Sequence, residues 1–169
     1  MHKRARECGG MSAAARNLVG MTYERILIAP FLTAFVAGYR AATPAAKRGQ
    51  VDFLDRHLRR FLEETTIDVG CQQCQSLVDA ERVLNPDGAF ARTMDLEDLV
   101  FRLSSFVHAP WRREEPLLQK AQWRFVEALL IAIQQTPMPD CEGLEQHYMH
   151  LWAHLNWELR RIQSVESVT

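Results

Sequence analysis

The sequence predicts an all-α protein, a bundle of five or six helices joined by short turns. Three observations lead there. Apolar residues recur at helical spacing in one segment after another, no segment alternates apolar and polar residues as a strand does, and the breaks fall at Pro- and Gly-containing turns. There is no defensible internal repeat and no low-complexity tract.

The chain is expected to divide into a flexible arm over residues 1–20, a helical bundle over 21–115 and a C-terminal helical pair over 116–169 packed on it. The arm is small, basic and Gly-containing and carries Cys8 beside Gly9-Gly10. Residues 21–42 bear apolar groups almost all round (Ile26, Leu27, Ile28, Phe31, Leu32, Phe35, Val36, Tyr39), which suits a helix buried on more than one side. Pro30 kinks that helix or marks the first turn of a new segment. After the break at Thr43-Pro44, residues 50–66 place Val51, Leu54, Leu58, Phe61 and Leu62 on one face. His57 falls on the polar side and receives no role.

Cys71-Gln72-Gln73-Cys74 opens the next helix, 71–84, and Asn85-Pro86-Asp87-Gly88 is a turn. Thr93 or Asp95 caps a helix with Leu96, Leu99, Val100, Leu103, Phe106 and Val107, which stops at Ala109-Pro110. Residues 116–135 form a helix with Leu117, Leu118, Ala121, Phe125, Leu129 and Ile133 along its stripe and Trp123 beside it. A rigid Pro-containing connection with Cys141 leads to the last helix, 142–162.

Composition excludes several classes. With 20 basic and 21 acidic residues the net charge is −1, so there is no electrostatic footprint for nucleic acid. No apolar run approaches a membrane span, and no apolar region follows the polar start as a secretory signal requires. The expectation is an intracellular protein without nucleic-acid or membrane partners. Four cysteines are too few for a disulfide scaffold and point to redox or metal chemistry.

Cys71 and Cys74 carry the sharpest signal. Two cysteines three apart at a helix start share a face, and the positive end of the helix dipole there favours a thiolate. The same spacing is also half of a zinc knuckle and can arise by coincidence. His147, His150 and His154 fall on one face of the last helix. One helix does not readily wrap three imidazoles round an ion, so no residue is assigned to a metal. The histidines and tryptophans of this helix also suit packing, a homodimer or a partner face.

In its order of parts the central region resembles the Erv/ALR family of FAD-linked sulfhydryl oxidases, including the forms carried by large DNA viruses. The resemblance rests on Phe31-Leu32, Phe35, Tyr39 and Thr43-Pro44 in the first helix and break, then Phe53-Leu54, Leu58 and Phe61-Leu62. The CxxC of Cys71–Cys74 opens the third helix, and His108 ends the fourth. The family's first-helix Trp and His fall about at Pro30 and Ala34, its His after the CxxC at Leu77, and its fourth-helix Asn at Ala109.

The resemblance implies an FAD-dependent thiol oxidase that forms disulfides in thiol-containing protein substrates, with oxygen as acceptor. An incoming thiolate would attack Cys71, and Cys74 would face the flavin. Cys8 or Cys141 would serve as shuttle, and Tyr39 and His108 as cofactor neighbours. It also implies a virion, host cytoplasm or host nucleus as location. Two other readings stand beside it, a non-catalytic helical interaction protein derived from such a fold and a small metal-binding α domain.

Overall fold

A computed structural model describes residues 25–65, 72–137 and 143–166. The fold is all-α, and among these residues it has seven helices rather than five or six. They are α1 (Ile28–Ala42), α2 (Arg48–Glu64), α3 (Gln72–Leu84), α4 (Ala89–Thr93), α5 (Leu96–Phe106), α6 (Pro116–Gln134) and α7 (Leu144–Glu166), with a 3₁₀ turn at Ala45–Lys47 before α2. The expected arm and the connection bearing Cys141 lie outside the described residues.

Pro30 sits in the first turn of α1, where backbone N–H groups have no intrahelical partner to lose. Just before it, the Ile28 amide donates to the Met94 carbonyl (3.0 Å) and the Leu96 amide to the Ile26 carbonyl (3.2 Å). These bonds pair Leu27 with Asp95 and tie the start of α1 to the start of α5. Arg25 reinforces the join through Asp95 at 3.1 Å.

α2 buries Val51, Leu54, Leu58, Phe61 and Leu62, the stripe its spacing predicts. Its outer face carries the i,i+4 pairs Arg59–Asp55 and Arg60–Glu64. His57 departs from expectation. Its ring is half-buried, stacks on Phe53 and lies 5.2 Å from the Phe106 ring. Nε2 donates to the Trp111 carbonyl at 2.9 Å. The loop after α5 folds over this side of α2, so a side chain on the helix's polar edge becomes a packed one.

The additional helix is α4. Gly88 takes a left-handed conformation (φ 78°) that suits glycine and turns the chain into it. Ala89, Phe90 and Ala91 are buried. Glu63 accepts from the Phe90 amide (3.1 Å), and the Arg102 guanidinium lies 4.7 Å over the Phe90 ring. α4 is thus held by its neighbours and not by any period of its own.

Asp95 caps α5 reciprocally with Asp98, each side chain accepting from the other's backbone amide (3.3 and 3.5 Å). Burial and the neighbouring Asp95 charge raise the Asp98 carboxyl to about 6.

α6 is the central element. Gln122, Trp123, Phe125, Val126, Leu129, Leu130 and Ile133 are all buried. Trp123 is the largest fully buried side chain, whereas Leu117 is exposed. Phe125, Leu129 and Ile133 are buried as expected, and the buried face is wider than the expected stripe because α6 meets α1, α2 and α5 as well as α7. Buried Gln122 donates to the carbonyls of Phe106 (2.8 Å) and Trp111 (3.2 Å) and accepts from the Arg113 amide (2.9 Å). One side chain thereby fastens the loop between α5 and α6. α7 closes the bundle against α5 and α6, burying Leu144, Leu151, Leu155 and Leu159.

Candidate functional site

α3 stands apart from this core. Only Val78 of its 13 residues is buried. Cys74 lies in the first turn, half-buried and packed against the core edge. Leu77, one turn on, is 53% exposed, and Val83 and Leu84 are 85% and 81% exposed. Leu77 and Leu84 are seven residues apart and share a face, with exposed Ala80 between them. α3 therefore carries a solvent-facing apolar stripe directly beside Cys74.

The polar side of α3 anchors it to the bundle. Arg82 lies between Asp79 (3.2 Å) and Glu63 (3.9 Å), and Glu81 pairs with Arg92 at 2.7 Å. Burial raises the Glu63 carboxyl, opposed by the Phe90 amide and then by Arg82 and Arg92. Charged contacts flank one edge of α3 and Val78 is buried in the core, while Leu77, Val83 and Leu84 are left outward.

The other expected site residues lie elsewhere. Tyr39, near the end of α1, stacks on Phe35 (5.6 Å) and meets Phe125 of α6 edge-on (5.5 Å). Burial raises its hydroxyl above the usual tyrosine value, and the nearby Arg124 charge opposes the rise. It lines a half-open groove formed by α1, the turn after it, α2 and α6, which includes neither Cys74 nor His108.

His108 follows α5 and donates from Nδ1 to the Ser104 carbonyl at 2.5 Å. Its ring stacks on His154 of α7, with centroids 4.6 Å apart and planes 21° from parallel. Burial, with His108 adding to it, lowers the pKa of His154, and Glu158 opposes the shift. The folded ring takes a proton less readily than an unfolded one. Stability from this contact is thus present above the ordinary value of 6.5 and falls as pH drops below it.

Tyr39 packs on Phe35 and Phe125, His108 on His154 and Cys74 at the core edge, and the groove at Tyr39 includes neither of the other two. Cys71, Cys8 and Cys141 lie outside the described residues. The α7 histidines also separate. His147 packs on Phe101 (5.0 Å), His154 stacks on His108, and His150 is exposed. Among the described residues no group of three or more His, Cys, Asp or Glu side chains is arranged to hold a metal ion. No described helix is long and apolar enough to cross a membrane.

Sequence reasoning missed two features. The outward stripe of α3 consists of Leu77, Val83 and Leu84, whose spacing shows helical periodicity without showing which of them a neighbour covers. The groove at Tyr39 draws on two distant stretches of chain, 39–54 and 117–124, and left no local signal. No family model, no curated protein and no solved structure matches the chain.

Proposed function

We propose that the chain is a helical interaction protein that engages a protein partner through the exposed stripe of α3. The observation that carries this is the inverted burial of α3, whose Leu77, Val83 and Leu84 face solvent while its charged groups anchor it. Exposed apolar surface of this kind, rimmed by polar residues such as Gln73 and Asp79, is what a partner covers. The partner's contact surface is accordingly apolar at its centre, and an amphipathic helix laid along α3 satisfies it.

The test is photocrosslinking in the cells that express the chain. A benzoylphenylalanine placed at Ala80 should give a discrete adduct that Leu77→Asp/Leu84→Asp abolishes with helicity unchanged. The same group at exposed Thr33 of α1 should give none. Equal adducts from both positions, or adducts indifferent to the double substitution, would remove the basis for this function.

A second reading is favoured by the position of Cys74, half-buried in the first turn of α3 beside that stripe. Here the Cys71–Cys74 pair is a disulfide. A thiolate of the docked protein attacks it and forms a mixed disulfide, and the second substrate thiolate resolves that bond. The substrate then holds the new disulfide, and the pair is left as two thiols. The resemblance names FAD and oxygen as the onward acceptors. Oxygen consumption on dithiothreitol that Cys74→Ser removes would support this reading, and its absence with added FAD would end it.

A further inference from the structure

α7 is fastened to the bundle in two halves. In the first half the Tyr148 hydroxyl donates to the Leu130 carbonyl of α6 (3.3 Å) and lies 3.2 Å from the Gln134 side-chain oxygen, and His147 packs on Phe101 of α5. In the second half Leu151, Leu155 and Leu159 are buried, and between them His154 stacks on His108 from the segment after α5, with ring centroids 4.6 Å apart. His108 donates from Nδ1 to the Ser104 carbonyl, so its neutral ring takes a further proton at Nε2. Arg112 of the same segment opposes a charge on His154. Glu158, one turn along α7, favours that charge, but Arg161 already holds its carboxylate at 2.9 Å. His150, one turn the other way, is exposed, and the groups that α6 sets against Tyr148 are neutral.

We propose that the His108–His154 stack is an acid-sensitive latch, which loosens the second half of α7 from the end of α5 as the medium turns acidic and leaves the rest of the bundle closed. A proton on each ring sets two like charges face to face at 4.6 Å, with the Arg112 charge added to them. While the rings stay together the second proton is disfavoured, and parting them relieves the repulsion. Opening therefore takes up protons. By linkage it is promoted as pH falls through the range near 6.5 in which a free histidine titrates. The remaining core does not rest on this join. α1, α2, α4, α5 and α6 pack on one another, whereas α7 packs chiefly on α5 and α6. The latch uses no residue of α3 and is independent of the partner face.

The test is amide hydrogen exchange of the full chain at about pH 7.5 and about pH 5, corrected for the intrinsic pH dependence of exchange. Protection over residues 151–159 should fall about fivefold at the lower pH, within the tenfold that one unit of changed proton affinity allows. Protection over residues 51–62 of α2 should hold or rise, since Asp98 favours the folded state as pH falls to about 4. His154→Gln and His108→Gln, neutral at both values, should each remove the fall, whereas His147→Gln and His150→Gln should leave it. Salt at about 1 M should shrink it by screening the paired charges. Ring titration by nuclear magnetic resonance on the unsubstituted chain gives a second reading, in which His108 and His154 should titrate in two coupled steps. Unchanged protection over 151–159, a fall that His154→Gln retains, or an equal fall in α2 would overturn the proposal. So would rings that titrate independently of one another.

Discussion

α6 and α3 divide the chemistry of this fold between them. α6 buries seven of its 19 residues, Trp123 among them, and even its buried polar residue, Gln122, has three backbone partners. α3 buries one residue of 13 and turns Leu77, Val83 and Leu84 outward. α6 is the more apolar as a string of letters, but composition does not set which of the apolar groups of α3 are buried. Their surroundings do. α6 meets helices on several sides, whereas α3 is fastened along one edge by Arg82 and Glu81.

Three variants probe that contrast and a fourth probes the start of α5, from the largest expected effect to the smallest. Trp123→Ala should cost about 3–5 kcal/mol in urea unfolding, the usual range for emptying a large aromatic site in a core. A cost under about 1 kcal/mol would mean that α6 is not the centre of the bundle. Gln122→Leu should cost about 2–4 kcal/mol, because it strips hydrogen bonds from Phe106, Trp111 and Arg113 together. Near-neutral behaviour would show that the loop after α5 stands without it.

Asp98→Asn should act in the opposite direction. The folded carboxyl holds its proton up to about pH 6 against an ordinary value of 3.8. The folded state therefore binds more protons than the unfolded state between those values, and its stability falls as pH rises from about 4 to 6. Asparagine keeps an acceptor for the Asp95 amide and removes the charge. At pH 7 it should stabilise by about 1 kcal/mol, after discounting for partial exposure, and at pH 3 by nearly nothing. A gain equal at both values would contradict the charge as its cause. Finally, Leu77→Asp/Leu84→Asp should change stability by no more than about 0.5 kcal/mol, as surface changes do. A loss of several kcal/mol would place those leucines inside the fold and abolish the contrast with α6.

Much of this architecture was legible in the sequence because helical periodicity is a strong signal in long segments. The spacing of Val51, Leu54, Leu58 and Phe61 located α2, and Asp95 with an acidic first turn located the start of α5. α4 was not legible, since five residues carry no period and Phe90 is held by Glu63 and Arg102 from elsewhere. Trp123 and His57 were misplaced for a related reason. A single helical face describes a helix with one neighbour, and α2 and α6 have more. Of the candidate site, Cys74 at the head of the third helix could be read directly. That Tyr39 meets Phe125 and His108 meets His154 could not, because those contacts are set by how α1, α5, α6 and α7 pack.

The most direct test of the interaction reading against the oxidase reading is the visible absorption spectrum of the purified chain after incubation with FAD. The expected result is a colourless protein that releases no flavin on denaturation. A yellow protein with one flavin per chain, oxidising dithiothreitol with oxygen in a manner lost in Cys74→Ser, would contradict it.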